Sequence, residues 1–225
     1  MSLVDTQWLY TSLNSKDLKI LDCSWYLPNL GKNGKEEYIK ERIPDSIYFD
    51  IDEFSDINCP YPHTLLSNEK FSEKLGKLGV QNNNHLIVYD AFGIFSSSRA
   101  WWMFKSYGHK KVSILDGGLK KWKLDNLPIE KGNPKIISPT FYKANLTREN
   151  IVSYDDVKKN ITKQKFVLVD ARPSGRFDGT SPEPRKEIKS GSIPNSINIP
   201  YTDLVDQVTG CYKKKEELQK IFNKN

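Results

Sequence analysis

Three arginines stand close together in the second half of the sequence, at positions 172, 176 and 185. A planar guanidinium group binds two oxygens of a carboxylate or a similar anion at once. Arg176 and Arg185 are therefore candidate ligands for a small anionic substrate. Arg172 follows Asp170 so closely that we expect it to brace its own loop through that carboxylate. For the other two, the alternative is an ion pair with an acidic neighbour, and the neighbours are Asp178, Glu183 and Glu187.

Asp52 and His63 form a second candidate group, in the first half of the chain. A histidine can relay a proton near neutral pH, and a carboxylate can orient its ring. The alternative is a histidine in a surface loop, because Pro60 and Pro62 set a turn beside it. The pair would support catalysis but would not supply a nucleophile.

The three cysteines, Cys23, Cys59 and Cys211, are widely spaced and include no Cys-x-x-Cys pair. This spacing disfavours a disulfide framework and a zinc site, and it favours a reducing compartment. A nucleophilic thiolate needs exposure and a lowered pKa, and no cysteine here follows a strand in a glycine-rich loop. We expect no metal, no cofactor and no catalytic cysteine among the 225 residues.

The composition, with 37% hydrophobic and 28% charged residues, suffices for a core and a polar surface. No apolar run reaches the ~18 residues that a membrane span needs, and the start lacks the basic region of a secretory signal. The net charge of +6 lies mostly after residue 135, without the aromatic and basic stripe of a nucleic-acid site. The sequence predicts a cytoplasmic protein, or a mitochondrial matrix protein if the source is eukaryotic, that binds neither nucleic acid nor membrane.

An internal repeat organises the chain. The strand-like run that ends at Asp22 is matched by one that ends at Asp170, 148 residues later. The Ile-Pro-Asp-Ser-Ile string around Pro44 is matched by Ile-Pro-Asn-Ser-Ile around Pro194, 150 residues later. Two landmarks with nearly equal spacing predict duplicated domains, because solenoid repeats have much shorter periods.

The first copy alternates short apolar runs with helical patterns. Such alternation predicts an α/β fold in which a parallel sheet is flanked by helices on both faces. The predicted strands are 18–22, 46–50, 85–90 and 112–118, and the predicted helices are 34–41, 68–79, 97–107 and 118–123, with Ser67 as an N-cap. In the second copy we expect a helix over 153–159 and a strand that ends at Asp170.

The repeat also predicts domain boundaries. We expect a first domain over 1–132, a proline-containing linker over 133–150 and a second domain over 151–225. The counterpart of the strand–loop–helix element at 85–107 would fall beyond residue 225, so the second domain is expected to be incomplete. In open α/β sheets the site lies at the carboxyl ends of the strands, and that element would carry one of its loops.

Two long strings resemble a known family. WWMFKSYGHKKVSILDGG (101–118) and GRFDGTSPEPR (175–185) are similar to strings in the first and second domains of the tandem thiosulfate/3-mercaptopyruvate sulfurtransferases. The resemblance implies two rhodanese-like domains, the first non-catalytic. It also implies a persulfide-forming cysteine in a second-domain loop, and the matching first-domain position here is Asp90. The Ile-Pro turns depart from the family's usual Gly at Asp45 and Asn195, residue types that also accept positive φ.

The resemblance further implies that sulfane sulfur moves from 3-mercaptopyruvate or thiosulfate to a thiol, such as thioredoxin or glutathione, or to cyanide. Arg176 and Arg185 would hold the donor carboxylate. Asp52 and His63 would reach a serine of the cysteine loop. Residues 1–225 by themselves are expected to be inactive. The alternatives are a non-catalytic module that binds an anion or a partner, and a phosphatase-like protein, which would need a longer cysteine loop.

Overall fold

A computed structural model describes residues 2–149, 151–184 and 188–224. Within them the chain forms two compact units. Unit 1 comprises residues 1–150 with 209–211, and unit 2 comprises 151–208 with 212–225. Each unit alternates strands and helices, so the predicted α/β class is confirmed.

Unit 1 has a sheet of five parallel strands in the order β1-β5-β4-β2-β3. The neighbouring interior strands β2 (Leu18–Asp22) and β4 (His85–Tyr89) are mostly buried and apolar, as expected for a parallel sheet that is covered on both faces. The elements are β1 (Leu3–Val4), α1 (Thr6–Ser12), β2 (Leu18–Asp22), α2 (Gly34–Lys40), β3 (Ile47–Tyr48), α3 (Asn68–Lys77), β4 (His85–Tyr89), α4 (Ser96–Ser106), β5 (Val112–Leu115) and α5 (Gly118–Leu124), with a 3-10 turn at Pro28–Leu30.

Two apolar clusters form the core of unit 1. In the first, Ile20 and Ile87 of the central strands pack with Trp122 of α5 and Leu9 of α1. Neighbouring strand residues point to the opposite face. On that side lies an aromatic cluster in which Phe71 of α3 stacks on Tyr107 with ring centroids 3.6 Å apart. The other rings of this cluster are Phe49, Phe54, Phe104 and Tyr142.

The element bounds differ from the sequence predictions mainly at β1, β3 and β5. The strand predicted over 46–50 is only Ile47–Tyr48, and the strand predicted over 112–118 ends at Leu115. The edge strand β1 was not predicted, because two residues are too few to show a periodicity. The predicted N-cap of α3 is confirmed, since the Ser67 side chain accepts a hydrogen bond from the Lys70 amide.

The left-handed turns that follow the two Ile-Pro pairs are present as expected. Asp45 has φ +59° and Asn195 has φ +65°. Both residue types tolerate this backbone region better than most, so replacing the family's usual glycine leaves the turn intact.

Residues 133–149, predicted as a linker, lie against α3 and α4 of unit 1. The Thr140 amide donates to the Gly76 carbonyl at 2.8 Å, and the Asn145 amide donates to the Tyr107 carbonyl at 3.0 Å. Tyr142 is buried, and its ring stacks on His109. The segment therefore completes the outer side of the aromatic cluster.

Unit 2 has a two-stranded parallel sheet among its described residues. Its first helix begins with a capping box in which Ser153 and Asp156 exchange side-chain to backbone hydrogen bonds. The elements are α6 (Tyr154–Lys163), β6 (Leu168–Asp170), α7 (Ser174–Phe177), β7 (Ser196–Asn198), a 3-10 turn at Tyr201–Leu204, and α8 (Lys215–Lys224).

Candidate functional site

Asp52 and His63 are in direct contact in unit 1. The Nε2 atom of His63 lies 2.8 Å from Oδ1 of Asp52. The other oxygen of this carboxylate accepts a hydrogen bond of 2.9 Å from the Trp25 indole N–H. The carboxylate is thus fixed from two sides, and it can orient the imidazole ring.

The backbone and the ring of His63 are held as well. His63 has φ +59°, an uncommon conformation for a residue other than glycine, and the partly buried Arg99 guanidinium donates to its carbonyl oxygen. Burial lowers the pKa of Arg99. The Trp25 ring meets the imidazole edge-on, with centroids 5.1 Å apart. The His63 side chain remains 26% exposed, so the imidazole can still reach a substrate or a neighbouring group.

Trp25 and Arg99 were not identified from the sequence. They lie 27 and 36 residues from the groups that they hold, and no local spacing connects positions so far apart.

Arg176 in unit 2 forms an ion pair with Glu183. Its Nε donates to Oε1 and Oε2 of the carboxylate at 3.1 and 3.0 Å, and its Nη2 donates to Oε2 at 2.5 Å. Arg172 donates from Nη1 to the same carboxylate at 2.8 Å. The Glu183 side chain is only 3% exposed, and its hydrogen bonds, that from Arg176 above all, lower its pKa. The alternative that the sequence left open for Arg176, pairing with an acidic neighbour, is therefore realised in this structure.

Arg172 braces its loop as expected. Its guanidinium donates to both carboxylate oxygens of Asp170 and to the Gly191 carbonyl, the latter at 2.7 Å. The hydrogen bond from Arg172 is the largest effect that lowers the pKa of Asp170. The loop after β6 therefore holds two arginines on two carboxylates. Arg185, the other candidate for donor binding, lies outside the described residues.

Two of the cysteines, Cys23 and Cys211, lie in surroundings that favour the protonated thiol. Cys23 is fully buried, burial raises the pKa of its thiol, and its Sγ donates to the Leu21 carbonyl at 3.6 Å. Burial also raises the pKa of Cys211, which is partly exposed. Cys59 lies in the loop between β3 and α3 and is partly exposed. A thiol with a raised pKa is a poor nucleophile near neutral pH.

Asp22, at the carboxyl end of β2, is a buried carboxyl group without a salt bridge to any of the described residues. It is 1% exposed, and burial raises its pKa to about 6, although hydrogen bonds from Ser24 oppose the shift. Its Oδ1 accepts from the Ser24 amide at 2.9 Å and from the Ser24 hydroxyl at 2.5 Å. The charged form of Asp22 is therefore destabilised in the native state.

We expect Asp22→Asn to stabilise the protein above about pH 6. Because the folded-state pKa of Asp22 is raised, native stability is full below the unfolded-state pKa near 4 and falls as the pH rises to about 6. Asparagine cannot ionise, and its Oδ1 can still accept from Ser24. The gain should rise from near zero at pH 3.5 to about 2–3 kcal/mol at pH 7, as measured by urea unfolding across that range. A difference that does not vary with pH would contradict the assignment.

Among the described residues, no group of three or more histidine, cysteine, aspartate or glutamate side chains is arranged to hold a metal ion. In the same part of the chain, every helix is too short or too polar to cross a lipid bilayer.

Comparison with known proteins agrees with this architecture. The family model described as "Rhodanese-like domain" matches residues 5–125 and 153–225. A human 3-mercaptopyruvate sulfurtransferase is 42% identical over 98% of this chain and 76% of its own length. A rat thiosulfate sulfurtransferase is 37% identical over the same shares.

Solved structures give the same result. One match is the crystal structure of SseA from Escherichia coli, described as a 3-mercaptopyruvate sulfotransferase with the rhodanese fold. It superposes with a TM-score of 0.90 at 34% identity, and the match covers all of this chain and 84% of that one. The Tum1 protein from Saccharomyces cerevisiae superposes with a TM-score of 0.91 at 31% identity, covering all of this chain and 79% of that one. With two matched segments and a shared fold along its whole length, the chain belongs to the rhodanese-like domain family.

Proposed function

We propose that this protein transfers sulfane sulfur from 3-mercaptopyruvate or thiosulfate to a thiol or to cyanide. The contact between Asp52 and His63 carries the proposal, because it supplies a proton-transferring pair in a chain 42% identical to a 3-mercaptopyruvate sulfurtransferase. The nucleophile would be a cysteine outside residues 1–225. Cys23 and Cys211 do not suit the role, since the pKa values of their thiols are raised.

The proposed reaction has two steps. A cysteine thiolate attacks the sulfur atom of the donor, the bond from that sulfur to the rest of the donor breaks, and pyruvate or sulfite leaves with the electron pair. The resulting persulfide then gives its outer sulfur to an acceptor such as thioredoxin, glutathione or cyanide. Each step leaves a charge or a proton to be accommodated, so the reaction needs cationic groups and a proton relay. No cofactor is needed.

Arg176 and Arg185 are the proposed ligands of the donor. In the described structure Glu183 occupies two donors of Arg176, so this carboxylate stands where a donor carboxylate would bind. The donor would compete with Glu183 for Arg176. Arg172, which also binds Glu183 through a hydrogen bond of 2.8 Å, would keep a partner for the displaced carboxylate. A carboxylate donor suits a two-pronged guanidinium, which favours 3-mercaptopyruvate over thiosulfate.

Asp52 and His63 are proposed as the proton relay. The described hydrogen bond lets the carboxylate orient the imidazole ring, and an imidazole held in this way can relay a proton. The pair would act on a serine of the cysteine loop, as the family resemblance implies. The proposed organisation is tandem, with a non-catalytic first domain and a catalytic second domain. The proposed location is the cytoplasm, without nucleic-acid or membrane partners.

The test is a hybrid in which residues 1–225 are joined to the remaining quarter of the human relative. We expect pyruvate release from 3-mercaptopyruvate and a mass gain of one sulfur atom on one cysteine. His63→Ala should lower kcat by ~10²-fold or more, and Arg176→Ala should mainly raise KM. His85→Ala is a matched control. His85 lies at the amino end of β4, away from the carboxyl ends of the strands, and its ring hydrogen-bonds Ser113 and not a candidate site residue. A hybrid that forms the persulfide equally well without His63 and Arg176 would refute their roles.

A further inference from the structure

The loop after β4 encloses the carboxylate of Asp90 in backbone amides. Asp90 is completely buried. Its Oδ1 accepts from the amides of Phe92 and Gly93 at 2.9 and 3.0 Å, and its Oδ2 accepts from those of Phe95 and Ser97 at 2.7 and 2.9 Å. Four N–H groups from one short segment therefore converge on a single anion.

The backbone of this loop is built to keep the amides turned inward. Gly93 has φ +122°, which side chains other than hydrogen rarely allow. The last amide belongs to the first turn of α4, an eleven-residue helix whose N-terminus carries partial positive charge. The buried hydroxyl of Ser97, on the residue that gives this amide, has no hydrogen-bond partner among the described residues. The loop therefore offers one hydroxyl group, that of Ser97, which Asp90 does not bind.

The four amides that surround Asp90, here called the amide cradle, are not a general feature of the carboxyl end of this sheet, as Asp22 shows. β2 and β4 are adjacent and parallel, with Asp22 opposite Tyr89, so both carboxyl groups lie at the same end of the sheet. Both are buried, but Asp22 accepts one amide bond, from Ser24. Desolvation at that position is not offset, whereas the four amides around Asp90 replace the water that the carboxylate lost.

We propose that residues 90–97 form an anion-binding site of unit 1, and that Asp90 occupies it and so excludes small external monoanions of carboxylate or thiolate size. In the native protein the site is closed by its own side chain. Removing that side chain without collapsing the loop opens the site. The proposal does not depend on sulfur transfer, because it concerns only what the amides bind.

A cavity of about 440 Å³ in unit 1 is lined by Ala91 and Phe92, the two residues that follow Asp90, and also by Asp22. Its lining includes lysines and glutamates that pair with each other, Lys32 with Glu37 and Lys123 with Glu41. The cavity therefore opens beside the start of the loop, and its charged lining favours neither anions nor cations.

The first experiment is a rescue of the full chain by formate. Asp90→Ala leaves four buried amides without an acceptor, so we expect the melting temperature to fall by more than about 5 °C. Sodium formate should restore at least half of the loss in a saturable way, as ligand binding to the native state requires. Asp22→Ala is the matched control and should gain nothing beyond the effect of sodium chloride. Formamide, which is neutral and similar in size, should not rescue either variant.

The second experiment places a thiol in the cradle. In a Cys59→Ser, Cys211→Ser background, the new thiol of Asp90→Cys should have a pKa at least one unit below the ordinary value of about 8.5. The new thiol of Asp22→Cys, at the same carboxyl end of the sheet, should have an ordinary or raised pKa. The thiolate is followed by its ultraviolet absorbance during a pH titration, and circular dichroism verifies folding.

The outcomes decide the proposal in each case. A formate-specific rescue of Asp90→Ala, or a selectively lowered thiol pKa at position 90, supports it. If Asp90→Ala folds only when formate is present during refolding, that result also supports it. Equal responses of the position 90 and position 22 variants to formate, or a thiol pKa at position 90 no lower than at position 22, would overturn it. So would failure of formate to raise the yield of folded Asp90→Ala.

Discussion

Purified residues 1–225 are expected to produce no thiocyanate above the uncatalysed rate when they receive cyanide with thiosulfate or 3-mercaptopyruvate. The expectation follows from the thiols that the chain contains. Cys23 is inaccessible, and its Sγ is a hydrogen-bond donor to Leu21, which requires the proton to stay on sulfur. Burial also raises the pKa of Cys211 and so lowers its thiolate fraction.

The loss should be essentially complete, because a persulfide cannot form without a nucleophilic thiolate. Thiocyanate is measured colorimetrically, with the full-length human relative as the positive control. Isothermal titration with both donors tests in parallel whether the arginine loop still binds an anion. Turnover that disappears on Cys59→Ser or Cys211→Ser would identify an unexpected nucleophile and contradict the expectation.

Glu130→Ala is expected to be the most damaging single substitution on the surface of unit 1. Glu130 pairs with Arg42, whose side chain is 1% exposed, through an Nη2 to Oε1 contact of 2.5 Å. Its other oxygen accepts from the Asp45 amide at 2.8 Å. Arg42 also donates to the Gly132 carbonyl at 2.6 Å and lies over the Tyr38 ring.

Removing Glu130 leaves a buried guanidinium without its counter-charge, a change that typically costs about 3–5 kcal/mol. We expect a loss of that order in the free energy of urea unfolding. Glu73→Ala is the matched control, because Glu73 pairs with Lys77 in an exposed helix pair of the kind worth about 0.5 kcal/mol. Losses of similar size for the two variants would show that the burial of Arg42 does not make the pair important. Arg42→Met, which removes the charge itself, should cost less than Glu130→Ala.

Much of the fold was accessible from the sequence because its determinants are local. The apolar runs of β2 and β4 and the cap at Ser67 each depend on a few consecutive residues, and the structure confirms them. The left-handed turn at Asp45 was also foreseeable, because it depends on one residue type after an Ile-Pro pair. Short edge strands such as β1 depend on pairing with a distant strand, and a two-residue run gives no periodic pattern.

The candidate site was only partly accessible. The residue types Asp52 and His63 indicated acid–base chemistry, and Arg176 indicated anion binding, but the sequence could not decide between these roles and their structural alternatives. The tertiary structure joined Asp52 to His63 and added Trp25 and Arg99 as supports. It also paired Arg176 with Glu183. Trp25 and Arg99 lie 27 and 36 residues from the groups that they hold, and no spacing along the chain encodes such contacts. Glu183 was one of three acidic neighbours that the sequence offered to Arg176, and only the folded loop selected it.

The sequence by itself determined the α/β class, the repeat and the family, because periodicity, spacing and long matching strings are properties of the linear chain. Only the tertiary structure decided that Arg42 is buried on Glu130 and that the amides after β4 close on Asp90. Burial depends on where segments cross in space, and the direction of backbone N–H groups depends on the conformation that the loop adopts there. The chemistry of Asp22 and of Asp90 therefore depends on how many amides of the following loop point at each buried carboxylate, which the residue types in that loop do not reveal.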